Sequence, residues 1–147
     1  MESIIIKCAK CGTKNRIPKN RLNDKPVCGK CRERLPSVPI YDHPVDITDQ
    51  SFEKEIVQHP GTVLLDCWAP WCAPCKAVAP VLEQLAKEYA GRIKIAKLDV
   101  DQNPQTASRF SIKSIPTMMI FKNGKAVNTL VGALPKSEIE KHIASVV

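Results

Sequence analysis

Seven cysteines lie along the 147 residues, and six of them form Cys-x-x-Cys pairs: Cys8/Cys11, Cys28/Cys31 and Cys72/Cys75. Two thiols at that spacing do one of two things. They ligate a metal, usually together with a second pair, or they form a dithiol that opens and closes a disulfide. Cys67 alone has no such companion.

The first two pairs read as a metal site. Cys8-x2-Cys11 and Cys28-x2-Cys31 are separated by sixteen residues, which matches a zinc ribbon. Four thiolates suit one zinc ion in a closed, tetrahedral site that is structural, or that senses oxidation by releasing its metal. Gly12 and Gly29 are placed to ease the two knuckle turns. A pair of disulfides is the competing reading, disfavoured in a reducing compartment.

Cys72 and Cys75 are ambiguous by spacing alone. No further Cys or His pair follows in residues 60–147 to complete a four-ligand site; only Cys67 and the distant His142 remain. Cys72 stands after an apolar run and at the expected start of a helix, where unpaired N–H groups and the helix dipole stabilise a thiolate. Pro74 is tolerated there because the first turn needs no donor. Cys75 would then sit beside Cys72 and attack a mixed disulfide.

The elements that must hold these residues follow from patterning. Residues 1–34 are apolar-poor, with Ile4–Ile6, Ile17, Leu22, Val27 and Leu35 as candidate core, and need a staple to fold. Residues 35–44 carry three prolines and read as a stiff linker. From residue 45 strands and helices alternate. Strands are expected at 45–47, 62–68, 92–100, 117–121 and 126–131. Helices are expected at 50–58, capped by Thr48 or Asp49, and at 72–90, 103–110 and 135–146. Gly91 is read as the stop of the long helix and Pro80 as a kink within it. Asn123-Gly124 between two apolar runs signals a hairpin. The implied domains are 1–34, a 35–44 linker, and 45–147, the last an α/β unit with a mixed central sheet flanked by helices.

Charge divides the chain at the same place. Residues 1–34 hold ten Lys/Arg and three Asp/Glu, whereas residues 35–147 hold twelve of each, so the first segment carries the whole net +7. That segment has no aromatic residue for base stacking, which disfavours nucleic acid as a partner. No stretch is long and apolar enough to span a membrane, and the N-terminus lacks an export signal, so a cytoplasmic monomer is expected.

Trp68-Ala69-Pro70-Trp71-Cys72-Ala73-Pro74-Cys75-Lys76 resembles the active-site signature of the thioredoxin family. Ala96-Lys97-Leu98-Asp99-Val100-Asp101, Ser114-Ile115-Pro116-Thr117 and Phe121-Lys122-Asn123-Gly124 resemble its other motifs, in register over residues 45–147. With the ribbon in front, the whole chain resembles the thioredoxin-2 type. The resemblance implies a thioredoxin fold and a protein-disulfide reductase working through the Cys72–Cys75 disulfide. Its dithiol would be regenerated by a thioredoxin-reductase-like flavoprotein that draws on NADPH, and disulfide-bearing proteins would be its substrates.

It also implies individual roles. Asp66 matches the buried aspartate behind the active site, where burial should raise its pKa and let it shuttle the Cys75 proton. Lys97 matches the lysine near that aspartate. Pro116 matches the cis-proline that exposes the backbone of Ile115 to an extended substrate. Trp71, Pro74 and Gly132 would shape the docking surface, together with Trp68. Two residues depart from the family pattern. Ala73 stands where glycine is usual, and Cys67 stands where an aromatic residue is usual and reads as inert packing. The alternative function is a zinc-dependent binding module or holdase that uses the second domain as a scaffold.

Overall fold

The computed structural model describes residues 3–18, 21, 24–35, 41–59, 61–90 and 92–146. The chain divides into two compact units, Met1–Ile40 and Tyr41–Val147.

In the first unit β1 (Ser3–Lys7) and β2 (Lys14–Pro18) form an antiparallel hairpin with Ile4 opposite Ile17 and Lys7 opposite Lys14. The strand period of two turns Ile6 and Ile17 inward onto Cys8, Cys28 and Leu35. Ile5 therefore faces out at 53% exposure, and Val27, next to buried Cys28, is 45% exposed. Neither belongs to the core expected for them. Leu22 and the Ile4 side chain lie outside the described residues, as do residues 36–40 of the expected linker.

The second unit is a five-stranded mixed sheet of order β3-β5-β4-β6-β7. β3 (Val45–Ile47), β4 (Thr62–Trp68) and β5 (Ile93–Asp99) are parallel, while β6 (Thr117–Lys122) and β7 (Lys125–Val131) run antiparallel. β4 is central, which is why its run Thr62–Cys67 is buried on both faces. One face packs Leu64, Ile95, Met118 and Ile120 against α1 (Ala73–Glu88) and α3 (Lys136–Ala144). The other face packs Val63, Leu65, Cys67 and Phe121 against Phe52, Ile56 and Phe110, the last at the end of α2 (Pro104–Arg109).

The expected mixed sheet with helices on both sheet faces is present. The expected helix over 50–58 is instead a single π-helical turn, Glu53–Val57, in which Gln58 N–H donates to Glu53 O. Lys94 Nζ donates to the Glu55 carbonyl at 2.9 Å. Nor does Asp49 cap this turn. Its carboxylate accepts from the N–H groups of Gln105 and Thr106 and so caps α2, while Thr48 Oγ1 accepts from Ser51 N–H. α1 continues unbroken through Pro80. Gly91, read as its stop, lies outside the described residues. The Asn123-Gly124 turn has φ of 52° and 84°, the left-handed pair a two-residue hairpin needs. A Cβ on Gly124 would also collide with the Val57 carbonyl.

Candidate active site and metal centre

β4 delivers its C-terminal end to the loop that carries Trp71 and Cys72, and α1 begins immediately after. Cys72 is the N-cap of α1, with extended backbone (φ −88°, ψ 108°), and its Sγ accepts from Cys75 N–H at 3.2 Å. Cys72 and Cys75 are joined by a disulfide, with their Cα atoms 5.3 Å apart. Burial does not distinguish the two cysteines, since each is 3% exposed. Position does. Cys72 faces the unpaired donors of the helix start, whose first turn contains no acidic residue. A thiolate there meets a backbone N–H and the positive end of the dipole.

Trp71 is 69% exposed, and its Nε1–H donates to Asp101 Oδ2 at 2.7 Å, which fixes the indole. Ala73 and Pro74 are exposed beside it. Ile115–Pro116 is a cis peptide, and Gly132, with φ of 97°, donates its N–H to Pro116 O at 2.8 Å. Neither backbone polar group of Ile115 has a backbone partner among the described residues. Val131, beside Gly132, is 60% exposed. Sequence reasoning missed Asp101 and Val131. Asp101 lies thirty residues from Trp71, and only the fold pairs them.

Asp66 lies in β4, two residues before its end. It shares a face of β4 with Leu64, which packs toward α1. It is 1% exposed, and its Oδ1 has no hydrogen-bond partner among the described residues. Burial pushes its pKa from the ordinary 3.8 up to about 7, with Lys97 pulling the other way. Lys97 is its register partner on β5, but Nζ lies over the Trp68 ring, 4.6 Å from the centroid, and makes no ion pair with Asp66. Cys67 points to the opposite face of the sheet, among Ile47, Phe52 and Leu98. Burial first, and the Asp66 charge second, push that thiol up to about 12. It is an inert core residue by both measures.

In the ribbon the four Sγ atoms of Cys8, Cys11, Cys28 and Cys31 all lie within 4.8 Å of one another. The Cys8–Cys31 and Cys11–Cys28 separations are 3.6 Å. A tetrahedron of thiolates about 2.3 Å from a central ion has sulfurs about 3.8 Å apart, so the set fits a metal of that size. Its electrostatics ask for one. The N–H of Cys31, and after it that of Lys30, hold the Cys28 thiol down to about 6. Cys31 rises to about 11 although the Glu33 N–H favours its thiolate, because burial and the neighbouring sulfurs oppose a further charge. Four thiolates this close require a cation among them.

The knuckles repeat with an offset of twenty residues. Cys8 N–H donates to Thr13 O and Cys28 N–H to Glu33 O, while Gly12 N–H donates to Cys8 O and Arg32 N–H to Cys28 O. The left-handed residue of the second knuckle is Arg32 (φ 66°), matching Gly12 (φ 79°); Gly29 does not play that part. Asn15 joins the two halves. Its Oδ1 accepts from Gly29 N–H at 2.9 Å, and its amide donates to Thr13 O at 3.1 Å. No motif announced it.

Comparison with known proteins agrees with this geometry. A family model described as Thioredoxin matches residues 43–145. The chain belongs to the thioredoxin family. A zinc-ribbon model described as Thioredoxin 2, N-terminal, matches residues 7–33. Thioredoxin 1 of Nostoc sp. is 48% identical over 101 residues, 66% of this chain and 94% of that protein. The thioredoxin of Pseudomonas aeruginosa is 46% identical over 98 residues, 67% and 91% of the two chains. That of Haemophilus influenzae is 50% identical over 97 residues, 66% and 91%. This thioredoxin is a thiol–disulfide oxidoreductase with a redox-active Cys72-Ala73-Pro74-Cys75 centre and an N-terminal metal-binding zinc ribbon. No helix among the described residues is long and apolar enough to cross a membrane.

Proposed function

We propose that the reduced protein transfers two electrons to protein disulfides in two exchange steps. The Cys72 thiolate attacks one sulfur of the substrate disulfide, forms a mixed disulfide and releases the first substrate thiolate. The Cys75 thiolate then attacks Cys72 Sγ, releases the second substrate thiolate and leaves the Cys72–Cys75 disulfide. The observation that carries this order is Cys72 at the N-cap of α1, accepting from Cys75 N–H.

Asp66 takes the Cys75 proton as resolution begins, a role supported by its burial and by a pKa raised to about 7. Lys97 tunes that carboxylate through its positive charge. Trp71, Pro74, Ile115, Pro116 and Gly132 receive the substrate as an added extended segment, supported by the unpaired backbone of Ile115 and the tether from Gly132 to Pro116. A flavoprotein of the thioredoxin-reductase kind restores the dithiol with electrons from NADPH, and the compartment is the cytoplasm.

Cys8, Cys11, Cys28 and Cys31 hold one zinc ion, which supplies the positive charge that lets four thiolates share the ribbon core. We assign residues 1–34 to the ribbon, 35–44 to a linker and 45–147 to the catalytic domain. The test of the redox reading is insulin reduction by wild type and Cys72→Ser with dithiothreitol as reductant. Wild type should precipitate the insulin B chain and the variant should stay at the uncatalysed rate; equal rates would refute the proposal.

A further inference from the structure

The ribbon carries a surface that the redox reaction does not use. Its hairpin has two faces. Ile6 and Ile17 point inward to the cysteines, and the outward residues are Ile5, Lys7, Lys14 and Arg16, all exposed. The register sets Lys7 directly opposite Lys14 and Ile5 opposite Arg16. Like charges facing each other across a strand pair destabilise it. The hairpin therefore holds a local repulsion that a bound anion would relieve.

The ribbon's other ion pairs do not reach this face. Of its acidic residues, Asp24 is engaged by Arg21 at 3.5 Å and Glu33 by Lys10 at 3.5 Å, and Glu2 lies outside the described residues. Lys7, Lys14 and Arg16 have no carboxylate within ion-pair distance among the described residues. The rest of the chain offers no compensating excess, since residues 35–147 carry twelve acids and twelve bases.

We propose that the outer face of the β1–β2 hairpin docks an extended, acidic segment of a partner protein, with carboxylates on Lys7, Lys14 and Arg16 and an aliphatic side chain on Ile5. The charge is complementary, and the exposed Ile5 gives an apolar contact beside it. A nucleic acid fits less well. Residues 1–34 contain no Phe, Trp or Tyr to stack on a base, and an exposed isoleucine has nothing to gain from a phosphate backbone.

The test uses the full zinc-loaded chain with Cys72–Cys75 oxidised, so its outcome is independent of the redox reading. Fluorescence anisotropy is read for a labelled Glu-Glu-Leu repeat peptide, a Gln-Gln-Leu repeat of equal length and an oligodeoxythymidylate of equal charge. The acidic peptide should bind and the neutral one should not. Lys7→Gln/Lys14→Gln/Arg16→Gln should weaken binding by about tenfold. Lys122→Gln/Lys125→Gln/Lys141→Gln removes the same charge elsewhere, including a second pair of facing lysines, and should leave it unchanged.

Lys14→Glu separates docking from folding. It turns the repulsive Lys7 pair into an attractive one, so zinc loss to a chelator should slow while peptide binding weakens. Equal weakening by the two triple variants, faster zinc loss from Lys14→Glu, or tighter binding of the oligonucleotide than of the acidic peptide would each overturn the proposal.

Discussion

Replacing Asp66 by asparagine should stabilise the folded protein, and by an amount that grows with pH. The carboxyl is buried under α1 with an unpartnered Oδ1, and its folded pKa lies near 7 against an ordinary 3.8. Between those values the folded state holds a proton that the unfolded state has released. Stability therefore falls as pH rises through this window, the reverse of a salt-bridged carboxylate. About three pH units at about 1.4 kcal/mol each give a cost near 4 kcal/mol once Asp66 is ionised. Lys97 is already included in that value.

Asparagine matches the shape of the neutral acid and its unsatisfied polarity, so the variant should equal wild type near pH 4 and exceed it by about 4 kcal/mol near pH 8. With a urea m-value of about 1.5 kcal/mol/M the midpoint rises by roughly 2–3 M. The assay is urea unfolding of the oxidised protein at closely spaced pH values. Parallel stability curves for the two proteins would refute the raised pKa. In the reduced protein the same substitution should slow release of substrate from the mixed disulfide more than the initial attack. Equal slowing of both steps in rapid-mixing kinetics would remove Asp66 from the proton path.

Lys94 is almost fully buried, with its Nζ 2.6 Å from Glu55 Oε2 and 4.7 Å from the Tyr41 ring centroid. Glu55→Ala should destabilise the fold by about 3 kcal/mol in denaturant unfolding, and Lys94→Met in that background should restore most of the loss. Hydrogen bonding to Lys94 first, and its charge second, hold the Glu55 pKa below 4.5 despite some burial, so its contribution is present at neutral pH and fades as acid protonates it. Removing the lysine should flatten that part of the pH curve. In the ribbon, Arg32→Gly relieves a left-handed non-glycine residue and should slow zinc loss to a chelator, by up to about 1 kcal/mol in the opening equilibrium. Gly12→Ala at the equivalent position should accelerate it; effects of the same sign would contradict the pseudo-repeat. Replacing any one of Cys8, Cys11, Cys28 or Cys31 by serine should abolish stoichiometric zinc, measured by atomic absorption.

Spacing and type in the sequence determined what is local. Cys-x-x-Cys pairs read as metal or redox sites because two side chains three residues apart meet in any knuckle or helix start. The apolar run Thr62–Cys67 read as a central strand because only a strand covered on both faces can be so uniformly apolar. Asn123-Gly124 read as a hairpin because a two-residue turn needs positive φ at both positions.

The tertiary structure decided what depends on residues distant in sequence. Asp49 was legible as a helix cap, but which helix it caps was settled by α2, whose start lies more than fifty residues away. The helix expected at 50–58 is a π turn, and its Glu55 carbonyl is held by Lys94, a buried side chain distant in sequence. Three adjacent isoleucines looked equally suited to the ribbon core, and the pairing of β1 with β2 turned Ile5 outward. Asp66 and Cys67 are neighbours in the chain, yet the pleat sends one to the α1 face of the sheet and the other to the opposite face. A period of two is visible in sequence; which phase faces the chemistry is set only when the sheet acquires its helices.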